Sequence, residues 1–600
     1  MFQDFRRRTT PATGAARLAA LRTAMADAGV EAFLVPRADA HQGENVAPRD
    51  ERLAWLTGFT GSAGMALVTV DRAGIFVDGR YRLQVRDQVD TTLYTVLRIP
   101  EDKPADWLLE AMPGGGRLGF DPWLHTAKEI EGLEAGLGPR QIGLVRVANL
   151  VDAAWPDQPP PPAAPIVPYP DEYAGRTSAE KRAGIAQGLV ARDLAAAVLT
   201  LPDSIAWLLN VRGADVARTP VALAFAILHA DGRLALFTDP AKADDALRAH
   251  LGPEVAIRPE ADFGPALDAL RGRVAVDEAS APVWVADRLA GAEAELVRER
   301  DPCILPKATK TPAEIAGTRA AHLRDAAAVA EFLAWLDLTA PEGGLTEIDV
   351  VRKHEAFRAA SGALRDISFD TISGAGPNGA IVHYRVTEAS NRQVSPGELL
   401  LVDSGAQYLD GTTDITRTVA VGAAPRAAIR PFTLVLKGLI AMSRLRWPEG
   451  LAGRDIDAVA RAALWSAGYD YDHGTGHGVG AYLGVHEGPQ SLSRRGLEPL
   501  LPGMILSIEP GYYREGAFGI RIETLAVVTA PAVPEGGDRP MLGFETLTLA
   551  PIDRRLVDAR LLEPAERAWL DAYHARVLDA VGPLVEPETR RWLRAACAPL

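Results

Sequence analysis

Hydrophobic residues recur first at helical and then at strand spacing, and this order appears twice in the first half of the chain. Helical stretches at 16–29 and 180–193 are each followed by one shared pattern, found at 54–80 and at 206–239. The pattern is an Ala-Trp-Leu segment, then a glycine-containing turn, then an apolar run that ends in Asp. Short apolar runs bounded by such turns are typical of buried strands. The repetition therefore predicts two α/β units of about 150 residues that are copies of one another.

Two breaks in this pattern predict three domains. Residues 156–170 are so rich in proline that they favour an extended connector over a helix. After residue 309, Thr311, Pro312 and Glu314 have the order of N-cap, N1 and N3 in a capping box, and apolar residues continue from there at helical spacing. The predicted domains are residues 1–160, 161–308 and 309–600.

Four segments of the third domain read as short strands that place an acid or an imidazole in or beside an apolar run. The five side chains are Asp403, Asp414, His477, Glu509 and Glu523. A carboxylate in an apolar strand is costly unless it is paired or coordinated. Two carboxylates about 4 Å apart repel by about 4 kcal/mol at an effective dielectric of 20. The nearest counter-charges in sequence are Arg417 and Arg521, whereas two divalent cations offset all four acids.

The spacing of the four acids predicts two related halves. Asp403 and Asp414 are close enough in sequence to share one hairpin, and so are Glu509 and Glu523. A helical stretch precedes each pair, and the second one has its apolar positions at helical spacing; they are Ile456, Val459, Ala460, Ala463 and Leu464. The third domain is therefore expected to be two halves whose acids face each other across a pseudo-twofold axis.

The register of the first hairpin stays open at this point. A two-residue turn at Asp410 and Gly411 puts Asp403 and Asp414 on one face but about 13 Å apart, which is too far for one metal pair. Either a bulge shifts the register or the turn centres near Tyr408 and Leu409.

Further upstream, GAGPNG at 374–379 matches GxGxxG, yet a proline interrupts it and residues 380–384 are predicted to be a strand, so a dinucleotide site is rejected.

Composition narrows the classes of function. The chain has 600 residues, is 48% hydrophobic and 24% charged, and carries a formal net charge of −14, which argues against nucleic acid and membrane partners. The two cysteines, Cys303 and Cys597, lie in no metal or redox motif and are expected to be buried or inert thiols. The polar first residues lack a secretory pattern, which predicts a cytoplasmic protein.

At the acid-bearing segments the sequence resembles a known family. DSGAQYLDGTTDITRT, HGTGHGVG, HEGP, SIEPGYY and GIRIET are similar to the metal-binding pattern of the pita-bread metallopeptidases, most closely the three-domain Xaa-Pro aminopeptidases (aminopeptidase P). The likeness extends to FTGSAG, VDGRY, AWLLNVRGADV and FETLTLAPID, and so covers nearly the whole chain. It implies a fold of class α/β plus α+β: two creatinase-like N-terminal α/β domains and a C-terminal pita-bread catalytic domain with pseudo-twofold halves.

The resemblance also implies roles for the metal ligands. Asp414 and Glu523 bridge two divalent ions, Asp403 chelates one of them, and His477 and Glu509 bind the other. All five positions are occupied, which argues against metal-free relatives such as creatinase. A set of oxygen ligands with one imidazole suits Mn²⁺, the ion that the family implies, although Zn²⁺ or Co²⁺ can compete on affinity.

The implied reaction is release of the N-terminal residue from a peptide with proline in the second position, by a hydroxide that bridges the two ions. Glu509 is the expected proton acceptor. His383 and His486 are implied to stabilise the tetrahedral intermediate and to bind the substrate. After His383-Tyr384, however, Arg385 and Val386 replace the small residue and proline of many relatives, which leaves the shape of that loop open.

The remaining implied roles concern substrate binding and assembly. His473 lines the proline pocket, Tyr513 and Arg521 orient ligands, and the chain forms a homodimer. The two N-terminal copies are expected to be lids or dimerisation platforms, because neither carries a concentrated set of His, Cys or carboxylates. An Xaa-Pro dipeptidase (prolidase) shares the five ligands, and a non-catalytic pita-bread protein is the alternative from another class.

Overall fold

The computed structural model describes residues 1–138 and 142–600 and divides them into two compact units. One unit contains Arg8–Asp171 and Arg176–Lys307, and the other contains Met1–Arg7, Glu172–Gly175 and Ala308–Leu600. The predicted domain boundaries stay a prediction. Among the described residues, no helix offers an 18-residue stretch apolar enough to cross a membrane.

The unit formed by Arg8–Asp171 and Arg176–Lys307 contains both predicted copies. The elements up to the proline-rich connector are α1 (Gly14–Ala28), β1 (Ala32–Pro36), α2 (Arg52–Thr57), β2 (Met65–Thr69), β3 (Ala73–Val77), α3 (Gln84–Gln88), β4 (Thr95–Arg98), α4 (Pro104–Ala111), β5 (Gly116–Phe120), α5 (Ala127–Leu137), β6 (Ile142–Arg146) and α6 (Leu150–Ala154). The elements that follow in sequence are β7 (Val167–Pro168), α7 (Asp171–Ala174), α8 (Ser178–Ala191), β8 (Ala196–Leu199), α9 (Pro202–Leu209), β9 (Val211–Arg212), β10 (Phe225–His229), β11 (Leu234–Phe237), α10 (Asp245–Leu251), β12 (Val255–Arg258), α11 (Phe263–Asp268), β13 (Gly272–Val276), α12 (Val283–Ala290), β14 (Ala294–Arg298) and α13 (Ile304–Ala308). All of α7 except Asp171 belongs to the other unit.

The two copies have the same sheet topology, which confirms the predicted duplication. Six-stranded sheets run in the order β4-β3-β2-β1-β5-β6 and β12-β11-β10-β8-β13-β14. In each sheet the first strand along the chain pairs antiparallel with the second and parallel with the fifth. The predicted apolar runs that end in Asp become β3 and β11, which hold equivalent places.

Aromatic side chains join the two copies within this unit. The indole rings of Trp123 and Trp284 stack with centroids 3.9 Å apart. Trp123 also packs against Phe225 of the second sheet, whose ring stacks on Phe263. The two copies therefore share part of one apolar core. Both cysteines are buried, Cys303 in this unit and Cys597 near the end of the chain.

The unit that contains Ala308–Leu600 consists of two halves. In each half, helices are followed by one acid-bearing hairpin. The elements of the first half are α14 (Pro312–Thr339), α15 (Glu347–Ala359), β15 (Asp366–Ile367), β16 (Ile372–Ala375), β17 (Leu399–Ser404), β18 (Ala406–Tyr408), β19 (Gly411–Thr412) and β20 (Ile415–Ala420). Those of the second half and the tail are α16 (Arg426–Arg444), β21 (Arg446–Trp447), α17 (Gly453–Trp465), β22 (Gly476–Gly478), β23 (Glu487–Leu492), β24 (Ile505–Ile508), β25 (Gly511–Arg514), β26 (Phe518–Arg521), β27 (Thr524–Val528), β28 (Leu542–Thr546), α18 (Pro564–Val581) and α19 (Pro587–Ala596). Helix α14 begins with the predicted capping box.

Both acid-bearing hairpins form, and each carries its two acids on paired strands. In the second hairpin Ile508 pairs with Thr524, so Glu509 and Glu523 follow as direct cross-strand neighbours. In the first, Asp403 pairs with Thr416, which places Asp414 two residues from the partner of Asp403. Diagonal neighbours of this kind lie about 7–8 Å apart at the backbone, close enough for their side chains to converge.

The turn of the first hairpin lies at Leu409 and Asp410, so neither predicted turn position is correct. Tyr408 pairs with Gly411, which makes Gly411 a strand residue. A side chain on Gly411 would come within 2.9 Å of the Thr318 backbone in α14, so the glycine serves close packing and not the turn. Arg324 of α14 clamps the Asp410 carboxylate through two bonds of 2.9 Å. No bulge is needed.

The prediction of a strand over residues 380–384 is wrong. A 3₁₀ helix spans Gly376–Ala380, and residues 381–383 form a bend and turn instead. The Val382 carbonyl accepts a hydrogen bond from Arg521 Nη1 at 3.4 Å, a contact that the sequence pattern cannot reveal. The His383 side chain is therefore presented by a loop.

A buried ion pair ties the first half together behind the hairpin. Arg358 of α15 is 1% exposed and donates two hydrogen bonds, of 2.8 and 3.0 Å, to Asp325 of α14. The same carboxylate accepts from Tyr408 (2.9 Å) and from Thr413 (3.0 Å), the residue before Asp414. Two helices and the hairpin thus meet at one carboxylate.

Replacing Arg358 with alanine is expected to destabilise this unit by about 3–5 kcal/mol, because the substitution leaves the buried Asp325 charge without its cation. The shift of the urea unfolding midpoint measures the loss. The control is Arg365→Ala, at an exposed position just after α15, for which a change within about 0.5 kcal/mol is expected. Equal midpoints for the two variants contradict the prediction.

Candidate active site

The five predicted metal ligands converge in the unit after residue 308. Asp403 lies near the end of β17 and Asp414 directly precedes β20, while Glu509 follows β24 and Glu523 precedes β27. His477 lies on β22, which pairs with β24. Each hairpin contributes two acids from neighbouring strands, and strand β22 contributes the His477 imidazole.

Short distances join these side chains. Ligand atoms of Asp414, His477 and Glu523 all lie within 4.8 Å of one another. His477 Nε2 is 3.5 Å from Asp414 Oδ2 and 3.5 Å from Glu509 Oε1. Because His477 Nδ1 faces the Gly478 carbonyl at 2.9 Å, Nδ1 carries the hydrogen and Nε2 is the nitrogen available for coordination.

Crowding of buried charge perturbs the pKa of these groups. Burial, with the charge of Asp414 adding to it, raises the pKa of Asp403 to about 7 despite the opposing Arg521. Burial and the charges of Asp414 and Glu509 raise the pKa of Glu523 well above its usual value. The pKa of His477 rises to about 9 because Asp414 and Glu509 outweigh its burial. With all four carboxylates ionised, the cluster would hold more negative charge than Arg521 and His477 balance.

The residues present fit divalent cations. Asp403 Oδ1 and Asp414 Oδ1 are buried, and no described residue hydrogen-bonds to either of them. A buried carboxylate oxygen without a donor is costly, and a bound cation removes that cost. Four carboxylates with one imidazole and no thiolate form a hard donor set.

Arg521 is the buried counter-charge of the site. It is 1% exposed, and its Nη2 donates to Asp403 Oδ2 at 2.6 Å. Its Nη1 donates to the Tyr513 hydroxyl at 2.6 Å, and its Nε donates to Thr416 Oγ1 at 3.1 Å. Arg417, the other predicted counter-charge, instead donates to four backbone carbonyls and to the Tyr573 hydroxyl.

A directed hydrogen-bond chain runs from Arg521 to His473. His473 Nδ1 faces the Gly474 carbonyl at 2.8 Å and therefore carries the hydrogen. Its Nε2, 2.9 Å from the Tyr513 hydroxyl, must then accept the hydrogen of that hydroxyl, which in turn accepts from Arg521. Burial lowers the pKa of His473 to about 4, so the ring is neutral near pH 7.

Two further histidines line the same region. The His486 ring lies edge-on to His477 with centroids 4.2 Å apart, and the His383 ring lies 6.4 Å from His486. His473 also comes within 4.0 Å of Glu509. The structure thus brings together all the histidines, the tyrosine and the arginine singled out in the sequence.

Two hydroxyl groups were not identified from the sequence. Thr416 Oγ1 donates to Glu523 Oε2 at 2.7 Å, and Ser507 Oγ donates to Glu509 Oε1 at 3.1 Å. Thr416 orients Glu523 from a neighbouring strand, and Ser507 orients Glu509 from two residues before it in the same strand segment. The available signal was strand alternation, since Thr416 is two residues from Asp414, and Ser507 two from Glu509, on the same face.

Comparison with known proteins decides the family. The profile of metallopeptidase family M24 matches residues 316–530, that of its C-terminal region matches 540–600, and that of the creatinase/prolidase N-terminal domain matches 17–154 and 157–314. A probable Xaa-Pro aminopeptidase P of Neosartorya fischeri is 40% identical over 605 residues, covering 97% of this chain and 92% of that protein. This chain belongs to metallopeptidase family M24.

Other proteins are also similar to this chain in sequence or in structure. A probable Xaa-Pro aminopeptidase P of Laccaria bicolor is 40% identical over 97% of this chain and 93% of its own length. The X-prolyl aminopeptidase of Caenorhabditis elegans, described as a cytosolic enzyme with a di-nuclear active site, matches with a TM-score of 0.93 at 34% identity over 98% of this chain and 100% of that one. A prolidase of Pyrococcus horikoshii shares the fold over 62% of this chain, with 21% identity and a TM-score of 0.50.

Cation binding at pH 7 is expected to release about one proton or more to the buffer, because metal ligands bind in their deprotonated form. Without a cation His477 holds its proton up to about pH 9, and the pKa of Glu523 is also raised. Calorimetric titration with MnCl₂ in two buffers of different protonation enthalpy measures the number released.

The control for this titration is His250→Asn, a substitution in α10 of the other unit, which is expected to leave proton release unchanged. His477→Asn is expected to lower the release by about one proton and to weaken binding. A binding heat that is identical in both buffers for the unsubstituted protein refutes this account of the site.

Proposed function

We propose that this chain is an Xaa-Pro aminopeptidase that releases the N-terminal residue from peptides with proline in the second position. The observation that carries the proposal is the complete set of five candidate ligands on two facing hairpins and a neighbouring strand. It occurs in a chain 40% identical, over 97% of its length, to a probable Xaa-Pro aminopeptidase P. A scaffold that had lost catalysis would have no physical need to hold these charges together.

The proposed cofactor is a pair of divalent ions, most favourably Mn²⁺. Asp414 and Glu523 would contribute to both ions, Asp403 would hold one of them, and His477 and Glu509 would hold the other. When bound, such a pair lowers the pKa of a shared water and polarises the scissile carbonyl. The unpartnered oxygens of Asp403 and Asp414 support this assignment.

Glu509 is proposed to move the proton during hydrolysis. Although burial raises the pKa of Glu509, the positive charges of the neighbouring His477 and Arg521 help to bring it below its usual value, so the carboxylate is the resting form. The side chain is also partly exposed, at 17%, unlike Asp414, at 5%. An ionised, accessible carboxylate can accept the proton of the nucleophile and deliver it to the leaving proline nitrogen.

The histidines are proposed to bind the substrate. His383 and His486 stabilise the tetrahedral intermediate, and His473 lines the proline pocket, held in its neutral tautomer by Tyr513 and Arg521. A neutral ring suits contact with the apolar proline side chain better than an imidazolium. The proposal also includes a cytoplasmic location, as for the C. elegans enzyme, and a homodimer.

Replacing Glu509 with glutamine is expected to lower turnover of an Xaa-Pro-Xaa peptide at least a hundredfold, because the amide accepts no proton. The matched control is Glu515→Gln, an exposed position in the turn of the same hairpin, which is expected to leave turnover unchanged. Metal content is measured for both proteins. Wild-type turnover in Glu509→Gln removes Glu509 from this role.

The choice of peptide separates this proposal from a prolidase. We expect cleavage of an Xaa-Pro-Xaa tripeptide by the Mn²⁺-loaded protein and little cleavage of the dipeptide Gly-Pro. Both substrates are assayed on one preparation, so that metal loading is common to the two measurements. Cleavage of the dipeptide alone overturns the aminopeptidase assignment in favour of the prolidase.

A further inference from the structure

We infer that Met1–Arg7, named here the amino-terminal strap, positions the loop that carries His383. The inference rests on the proposed function of His383 in stabilising the tetrahedral intermediate. The strap lies within the first predicted domain, residues 1–160, yet it belongs to the same compact unit as Ala308–Leu600. The His383 loop is residues 381–388.

One apolar side chain anchors the strap. Phe5 is 6% exposed and lies in a cluster with Tyr384 and Val386 of the His383 loop. The same cluster contains Ile372 of β16 and Leu401 of β17, and partly buried Tyr513 packs against it. Phe5 therefore contacts the loop and the strands that carry the site, although nearly four hundred residues separate them.

Polar contacts fix the strap on both sides of Phe5. The Phe5 carbonyl accepts a hydrogen bond of 2.8 Å from the Glu388 amide, at the far end of the loop. The Gln3 side chain pairs with the backbone of Thr371, accepting from its amide at 2.8 Å and donating to its carbonyl at 3.3 Å. Thr371 directly precedes Ile372, which is the cross-strand partner of Asp403.

The strap accounts for the departure from the family at Arg385 and Val386. Arg385 Nε donates to Asp370 at 2.8 Å, and its Nη2 donates to the Asp4 carbonyl at 3.2 Å. Val386 is fully buried against the Phe5 cluster. A small residue at position 385 supplies neither of the two Arg385 contacts. In this chain the loop is thus shaped by side chains that bind the strap.

On the inner side of the loop, the contacts lead to the site. The Val382 carbonyl accepts from Arg521, which also binds Asp403 and Tyr513. Tyr384 is held from the opposite side, since its hydroxyl donates to Glu347 at 2.9 Å. His383 lies between these two anchors. Loss of Phe5 leaves the outer side of the loop without its apolar support, so His383 is expected to be displaced.

The test compares two identical substitutions within the strap. Phe5→Ala is expected to lower kcat for an Xaa-Pro-Xaa peptide about tenfold or more with little change in KM, because the displaced group acts in the transition state. Phe2→Ala removes a ring that is 41% exposed and is expected to leave kcat unchanged. Equal kcat values for the two variants overturn the inference.

A double substitution separates positioning from a folding defect. If the strap acts through His383, Phe5→Ala lowers kcat in the natural chain but not in a His383→Ala background. A folding defect lowers kcat by the same factor in both backgrounds and overturns the inference. Phe5→Leu, which keeps most of the apolar contact, is expected to restore most of the loss.

Hydrogen exchange gives a readout that does not depend on activity. Phe5→Ala is expected to speed exchange of the Glu388 amide and of peptides covering 381–388, and to leave peptides from α17 unchanged. Exchange that does not respond at 381–388 overturns the inference. If the natural chain cleaves no Xaa-Pro peptide, the proposed function of this site fails, and the exchange result alone decides whether the strap shapes the loop.

Discussion

Four carboxylates in one buried pocket are the constraint on which the rest of this structure depends. Their mutual repulsion opposes folding, and the nearby Arg521 neutralises one of them at most. The raised pKa values of Asp403, Glu523 and His477 are the electrostatic signature of this imbalance. A scaffold that holds such a cluster must be stiff, and its stability must come from elsewhere in the unit.

The stiffness comes from pairing the acids on hairpins. Continuous antiparallel ladders leave each carboxylate little freedom, since a shift of one residue would turn it to the other face of the sheet. Hydroxyl groups from alternate strand positions, Thr416 and Ser507, then fix the rotation of individual carboxylates. Behind the first hairpin the Asp325–Arg358 pair joins two helices to the same strand segment. The carboxylates therefore supply the charge of the site, while the strand ladders, the two hydroxyl groups and the Asp325–Arg358 pair supply its rigidity.

The remaining parts of the chain serve this centre at increasing distance. The hydrogen-bond chain from Arg521 through Tyr513 sets the tautomer of His473. The His383 loop is supported by the amino-terminal strap. The duplicated α/β copies, by contrast, carry one shared sheet topology and contribute none of the five candidate ligands. Their identical strand order shows that one fold was used twice, with the chemistry confined to a separate unit.

Sequence by itself determined most of the elements, though not the loop at residues 381–383, and the types of the candidate ligands, because strand alternation, capping and turn residues act over short separations. It predicted the duplication, the helix beginning at Pro312, both acid-bearing hairpins and the class of metal site. It did not determine the turn at Leu409 and Asp410, which depends on how closely Gly411 packs against α14. Nor did it predict that Arg521 binds Asp403 while Arg417 binds carbonyls, or that Phe5 packs beside Tyr384. Those contacts join residues far apart in sequence, and only the tertiary structure decides which of them meet.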